Sequence, residues 1–230
     1  MKVNTNFILD FLKSLEKNNS LAWMKANKKE YETAKSEFEK LIQELINGIG
    51  IYDSSIIGLQ PSKLIFRMNR DTRFSKEKSP YNPSFKAHIS QAERFPIPAG
   101  YYLNIKPNHI FLGGGLFVSQ FPEATKMVRD KIMNESDAFL KIIENADFTK
   151  NFVIVGEKLK NVPKEYDKNH ALAEYLKHKA WDIEYFVEDT EFANSEKFIE
   201  LAVEKFKYMK PFNDFLNDSL VDFKIPERKK

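Results

Sequence analysis

Two hydrophobic periodicities, in a fixed order along the chain, limit the folds that this sequence can adopt. Apolar residues recur at helical spacing over 5–17 and 27–49. Alternation of apolar and polar residues then predicts consecutive strands, which span 63–69, 86–90, 100–106 and 109–118. Helical spacing returns in the last third of the chain. The sequence therefore predicts an α+β fold, with a central, mostly antiparallel β-sheet flanked by N-terminal and C-terminal helices.

Capping and breaking residues predict several helix boundaries. Asn27 and Glu30 have the spacing of a capping box, which places the start of the second long helix at Asn27. Ser195 should cap the last helix, which we expect over about 196–216. Pro211 should kink or divide that helix, because proline removes a backbone donor and clashes with the preceding turn.

The length of the chain suits one domain. A chain of 230 residues is long enough to bury a substantial core, and it contains no internal repeat, low-complexity tract or linker. We predict a single domain over 1–230, with a helical part (1–50), a β-rich core (55–118) and a mixed remainder (119–230).

Composition narrows the function classes. The net charge is +3. The overall electrostatic field of such a protein is too weak to indicate binding to nucleic acid or to a membrane. The absence of cysteine excludes thiol catalysis, disulfides and cysteine-ligated metals. We see no signal peptide and no membrane span, so we expect a soluble, cytoplasmic protein. We predict no metal site and no cofactor, because the four histidines are scattered: His88, His109, His170 and His178.

Positive charge concentrates in one segment, residues 67–78. Three of the six arginines of the chain, Arg67, Arg70 and Arg73, fall within seven residues. The segment holds five cations against two anions, a surplus equal to the net charge of the whole protein. Arg67 lies at the exit of a predicted strand, and Pro80 favours an extended loop after it.

Two interpretations of this segment follow from its chemistry. The planar arginine fork suits phosphate or carboxylate oxygens, and the hydroxyls of Ser75, Ser79 and Tyr81 could complete an anion site. The alternative is a buried salt-bridge network in which Asp71 and Glu77 pair with the arginines. In both cases neighbouring arginines lower the pKa of Asp71, which makes it an arginine brace rather than a general acid.

A glycine tract and a second basic loop are further candidates. Gly113-Gly114-Gly115 lies inside a predicted strand, where glycine indicates a bulge or a close approach of backbone or ligand. It lacks the spacing of phosphate- and dinucleotide-binding loops. The loop 158–168 is basic, and Pro163 makes it rigid. By itself this loop is typical of an exposed surface.

Several motifs, taken together, resemble one family. They are Trp23-x-x-x-Asn27-Lys28-x-x-Tyr31, Phe66-Arg67-x-Asn69-Arg70-Asp71-x-Arg73-Phe74-Ser75-x-x-Lys78-x-Pro80-Tyr81, Gly100-Tyr101-Tyr102, Gly113-Gly114-Gly115 and Val162-Pro163-Lys164-x-Tyr166-Asp167. In this order they are similar to the family called domain of unknown function 2461. The resemblance covers about Phe7 to Trp181, is expected to extend to the last helix, and implies no established activity. Glu165 departs from the pattern, which has glycine there.

The arginine segment and the motifs together predict a ligand site. We expect it to bind a small anionic ligand carrying phosphate or carboxylate, in an enzyme or a binding protein. One alternative is an interaction module that docks an acidic protein or nucleic acid, although the sequence carries no recognised nucleic-acid motif. Another is a purely structural motif, with function on an oligomer surface; the dispersed charges favour no oligomeric state. The predicted ligand-binding residues are Arg67, Asn69, Arg70, Asp71, Arg73, Ser75, Lys78, Tyr81, Tyr102, Gly113, Gly114, Gly115 and Lys164.

Overall fold

A computed structural model describes residues 3–71, 73, 78–117 and 121–225. The helices are α1 (Thr5–Lys17), α2 (Leu21–Ala26), α3 (Lys28–Ile49), α4 (Pro61–Leu64), α5 (Pro122–Asn134), α6 (Ser136–Ile143), α7 (Ala146–Asn151), α8 (Ala173–Leu176), α9 (Asp189–Phe192) and α10 (Ser195–Ser219), with a short 3₁₀ helix at Ser54–Ile56. The strands are β1 (Phe85–Ile89), β2 (Tyr101–Ile105), β3 (Ile110–Leu116), β4 (Ile154–Val155) and β5 (Trp181–Val187).

The five strands form one sheet in the order β1-β2-β3-β5-β4. The pairs β1–β2, β2–β3 and β4–β5 are antiparallel. The strands β2 and β3, both predicted near these positions, therefore form a hairpin. The predicted α+β fold, an antiparallel sheet with flanking helices, is confirmed.

The chain is divided into two compact units. Unit 1 comprises Met1–Phe95, Tyr101–Gly113 and Tyr185–Lys207, and unit 2 comprises Pro96–Gly100, Gly114–Glu184 and Tyr208–Lys230. The single domain over 1–230 stays a prediction. Among the described residues, no helix is long and apolar enough to cross a membrane.

The core of unit 1 lies between one face of β1 and β2 and the helices. The ring of Phe85 stacks on Phe38 of α3 at 5.1 Å, and Tyr101 packs on Phe206 of α10 at 5.3 Å, between ring centroids. Successive side chains of a strand point to opposite faces. Lys86 therefore lies on the face away from these helices, and we call this face of the unit 1 strands the outer face.

The core of unit 2 is also rich in phenylalanine. Phe139 packs on Phe215 and Phe148 on Phe212, with ring centroids 5.3 and 5.5 Å apart. Trp181, at the start of β5, is fully buried. The high phenylalanine content of the sequence is thus used in the cores of both units.

The predicted strand over 63–69 is wrong. Pro61 begins the short helix α4 instead, which ends at Leu64. The following residues form two isolated bridges with different partners, Ile65 with Ala87 and Asn69 with Tyr81. The alternating pattern was real, but a segment that changes its pairing partner midway forms no continuous ladder.

Two predicted helix caps and one predicted helix break are also wrong. The Asn27 side chain makes no capping hydrogen bond; its Nδ2 donates to the backbone oxygen of Trp23 at 2.9 Å. Asn194 precedes the last helix, and its Oδ1 accepts a hydrogen bond from the backbone N–H of Lys197 at 3.3 Å. The helix α10 is not divided at Pro211, because residues beyond the proline, such as Phe212, are fully buried and their packing favours continuation.

Candidate functional site

The two ends of the arginine segment meet as a short antiparallel pair in unit 1. Asn69 and Tyr81 form a bridge, and the N–H of Arg70 donates to the oxygen of Pro80 at 2.9 Å. The amide of Asn19 brackets the Tyr81 backbone: its Oδ1 accepts from Tyr81 N at 3.1 Å, and its Nδ2 donates to Tyr81 O at 2.9 Å. The base of the segment is therefore fixed by backbone hydrogen bonds, despite the proline.

The three arginines of the segment have different surroundings. Arg70 is half-buried, and its Nε donates to Asn82 Oδ1 at 3.0 Å. Arg73 forms an ion pair with Asp71, 2.6 Å between Nη2 and Oδ2, yet 77% of its side chain is exposed. Arg67 is exposed and bonds to no residue that the structure describes. The described contacts of the segment thus include an exposed ion pair and a hydrogen bond to a neutral amide.

The carboxylate of Asp71 holds the Arg73 side chain in place, as we predicted from the chemistry of the segment. The hydrogen bonds from Arg73 hold the pKa of the Asp71 carboxyl below its ordinary value. Asp71 Oδ1 also accepts from the backbone N–H of Arg73 at 3.1 Å. These bonds hold the two side chains together, so Asp71 is ionised at neutral pH and offers no proton for catalysis.

The structure describes two of three further predicted site residues. Ser75 is outside the described residues. Lys78 is exposed. Lys164 is exposed on a turn of unit 2, where the neighbouring Tyr166 donates its hydroxyl to Asp130 Oδ1 at 2.8 Å.

The glycine tract lies inside β3, which runs without interruption. Gly113 stands opposite Tyr102 of β2 in unit 1. In unit 2, Gly115 has a φ of +90°, and a Cβ there would overlap the backbone oxygen of Trp181. Its N–H donates to Asn213 Oδ1 at 2.7 Å. A Cβ at Gly114 would come within 3.1 Å of the same Asn213 oxygen. Close packing against the Trp181 backbone therefore accounts for Gly115, and close packing against the Asn213 and Met209 side chains accounts for Gly114.

On the outer face of unit 1, Lys86 is influenced by the charges of two further cations. Lys86 is half-buried in β1 and stands opposite Asn104 of β2. Burial lowers the pKa of the Lys86 ammonium, and the neighbouring charges of Lys106 and Arg70 lower it further. The side chains of Lys86 and Lys106 form no ion pair with any residue in the described part of the chain. We call Arg70, Lys86 and Lys106 the cationic cluster.

Tyr102 also lies on the outer face. It stands opposite His88, two residues along β1 from Lys86, and therefore shares the face of the lysine. Its ring is 6.0 Å from that of Phe66 and 5.8 Å from that of Phe111, between centroids. Burial raises the pKa of the Tyr102 hydroxyl to about 12. Tyr102 is therefore a neutral, half-buried phenol near the cationic cluster.

A cavity of about 280 Å³ lies elsewhere in unit 1, between α2, α3 and the paired ends of the arginine segment. It brings Asn69 and Tyr81 together with Lys28 and Tyr31, so two of the motifs converge there. The side chain of Lys28 is 74% exposed and pairs with Glu32 at 3.6 Å. The lining residues are Leu21, Met24, Lys25, Lys28, Tyr31, Met68, Asn69 and Tyr81.

Sequence reasoning missed Lys86, Lys106 and Asp182. Lys86 could have been found, because it alternates with the apolar residues of its predicted strand. Asp182 in unit 2 lies on β5; burial, with the nearby charge of Glu184, raises the pKa of its carboxyl to about 7. Its buried Oδ1 has no hydrogen-bond partner among the described residues. A carboxyl that titrates near neutral pH is a candidate proton-transfer group.

Comparison with known proteins gives one result. A family model described as conserved hypothetical protein (DUF2461) matches residues 7–215. No curated protein matches the chain, and no solved structure matches it. The match covers most of the chain and confirms the resemblance that the motifs indicated. The chain belongs to the DUF2461 family of conserved hypothetical proteins.

Proposed function

We propose that the protein binds a small phosphorylated ligand at the cationic cluster of unit 1. The observation that carries this proposal is the half-buried Lys86, which faces two further cations and has no carboxylate partner among the described residues. Like charges held together in a partly buried position destabilise the folded state. A bound anion would offset that repulsion.

Phosphate suits this cluster better than carboxylate. A phosphate monoester carries up to two negative charges and three acceptor oxygens, so it can accept hydrogen bonds from several cations at once. The cluster offers two ammonium groups, from Lys86 and Lys106, and the guanidinium of Arg70. Arg70 Nε already donates to Asn82, which fixes the direction of its side chain. A cation that is positioned before binding loses less conformational entropy when the ligand arrives.

The proposed anion site differs from the site that the cluster of arginines in the sequence predicts. Arg73 is paired with Asp71 in solvent, and such exposed pairs interact weakly. Lys86 and Lys106 lie on or beside strands, which hold side chains more precisely than a loop does. The ligand would thus contact Arg70 of the predicted set, together with two lysines that the motifs do not include.

Titration calorimetry with ribose 5-phosphate tests this proposal. We expect wild-type protein to bind, and Lys86→Gln to weaken binding about tenfold or more, because it removes one charge-assisted hydrogen bond. Lys35→Gln is the matched control, since Lys35 lies on α3 and pairs with Glu39 at 3.4 Å. We expect the control to bind like wild type.

A second readout reports on the cluster directly. An anion bound at Lys86 should raise the pKa of its ammonium toward the ordinary value, which ¹³C NMR of the lysine side chains would detect. Absence of binding at millimolar ligand, or equal binding by wild type and Lys86→Gln, would contradict the proposal.

A further inference from the structure

Aromatic rings form a row across the outer face of unit 1. The row runs from Phe66 beside β1, through Tyr102 of β2 and Phe111 of β3, to Phe186 of β5. Successive ring centroids are 6.0, 5.8 and 5.9 Å apart. His109 extends the row, 5.4 Å from Phe186. We call Phe66, Tyr102, Phe111 and Phe186 the aromatic row.

The aromatic row is accessible from the outer face. Phe186 is 56% exposed, and the other three members are partly exposed. The face of an antiparallel sheet that points away from the core is commonly polar. A contiguous set of exposed rings on such a face is typical of a binding surface.

The cationic cluster lies beside the row, in register with it. Asn104 stands opposite Lys86 on one side and opposite Phe111 on the other. Lys86 and Phe111 are therefore two strand spacings apart, about 10 Å between backbones, and they share one face. Long side chains can reach across this distance, so a single ligand can contact both the lysine ammonium and the aromatic rings.

We infer that the ligand of this face is a nucleotide, whose phosphate contacts the cationic cluster and whose base stacks on Tyr102 and Phe111. The inference rests on the proposed function, because it assigns the class of that same phosphorylated ligand. Aromatic side chains stack on any base, since every base presents a π-face. The phenol of Tyr102 is neutral at physiological pH, so it adds no charge that would repel the phosphate.

A free nucleotide fits this face better than a strand of nucleic acid. The cations gather around one position, Lys86, and the chain as a whole carries a net charge of only +3. A strand would need a track of cations that follows its successive phosphates. One phosphate group beside one stacking surface matches a mononucleotide.

Calorimetry with AMP, ribose 5-phosphate and adenosine separates the contributions of base and phosphate. We expect AMP to bind wild-type protein on the order of tenfold more tightly than ribose 5-phosphate, the difference being the stacking of the base. Phe111→Leu should reduce AMP binding to the level of ribose 5-phosphate and leave ribose 5-phosphate itself unchanged. Lys86→Gln should weaken both phosphorylated probes.

Phe121→Leu is the matched control for Phe111→Leu. Phe121 is a partly exposed phenylalanine of unit 2, 5.6 Å from Phe223, and should have no effect on AMP. In wild-type protein, the adenine H2 and H8 resonances of AMP should shift upfield on binding, through the ring currents of Tyr102 and Phe111. This spectroscopic test supports or contradicts stacking even if Phe111→Leu does not fold.

The outcomes distinguish the two proposals. Equal affinity for AMP and ribose 5-phosphate, without an adenine shift, would contradict the inference that the ligand is a nucleotide. It would still agree with the proposed binding of a phosphorylated ligand. Failure of both probes to bind would overturn both proposals. Binding of adenosine as tight as AMP would show stacking without phosphate recognition, and so would contradict the proposed function. If a twelve-nucleotide single strand bound far more tightly than AMP, the ligand of this face would be nucleic acid rather than a free nucleotide.

Discussion

Arg73 of unit 1 and Arg129 of unit 2 have contrasting surroundings. Arg73 belongs to the densest cluster of arginines in the sequence, yet its side chain is 77% exposed and its ion pair with Asp71 faces solvent. Arg129 stands on α5, far along the sequence from the other arginines, and is only 7% exposed. Its Nε donates to the oxygen of Leu176 and its Nη2 to that of His178, both at 2.8 Å.

The difference shows that local sequence density does not measure how firmly an arginine is built into a fold. Arg129 contacts backbone oxygens nearly fifty residues away and lies 6.0 Å from the ring centroid of Trp181. A buried charge with satisfied hydrogen bonds stabilises the chain segments that it joins, whereas an exposed pair is screened by water and salt.

Removing Arg129 should therefore have the largest effect. Arg129→Ala leaves two buried carbonyl oxygens without a donor, and we expect a loss of about 3 kcal/mol in the free energy of unfolding. Urea denaturation followed by circular dichroism measures this. Lys126→Ala, which breaks an exposed pair with Asp130 on the same helix, is the control and should change stability little. Equal effects of the two variants would contradict the expected difference in stability between a buried arginine and an exposed ion pair.

The pH dependence of unit 2 should show an effect of up to similar size, centred on His178. Burial lowers the pKa of the His178 imidazole to about 4, and the charge of Lys158 contributes. The unfolded chain takes up this proton near pH 6.5, whereas the folded protein resists protonation down to about pH 4. Stability due to His178 is therefore complete above about pH 6.5 and is lost as the pH falls to about 4, by up to about 3 kcal/mol.

The comparison of wild type with His178→Gln isolates this effect. Asp182 has the opposite sign, because its raised pKa gives stability that is lost as the pH rises, but it is present in both proteins. We expect the unfolding midpoint of wild type to fall more steeply than that of the variant between pH 6.5 and 4. Parallel curves would mean that His178 is not held neutral by burial.

Arg73→Ala should have the smallest effect. We expect its urea midpoint to match that of wild type, because the lost pair is exposed. The pKa of Asp71 should rise toward its ordinary value once the guanidinium is gone, which ¹³C NMR of the carboxyl would measure. A fall in the midpoint comparable to that of Arg129→Ala would show that the arginine segment is structural after all.

The elements with strong periodicity were predictable from sequence. The long helix α3 and the hairpin of β2 and β3 follow the predicted positions, because their patterns reflect one continuous buried face. The segment 63–69 was not predictable from its pattern, since its two bridges depend on chain elements that lie further along the sequence.

The candidate site was predictable only in part. The motifs named Arg70 and Tyr102, which lie in or near the cationic cluster. They did not name Lys86, because its neighbours on the sheet depend on strand register, and register brings together residues that are distant in sequence. Likewise, the oxygens that Arg129 contacts lie at the end of the short helix α8 and just beyond it, and no sequence pattern predicts these contacts.

The glycine tract has a consequence for how mutational data on this family should be interpreted. Every side chain at Gly115 would collide with the Trp181 backbone, so a saturation screen would score this position as intolerant as any ligand contact. The Gly115 variants that such a screen loses would be unfolded, rather than folded and unable to bind the ligand. Measuring cellular abundance together with ligand binding would therefore separate the two causes: substitutions at Gly115 should lower abundance, and substitutions at Lys86 should lower binding alone.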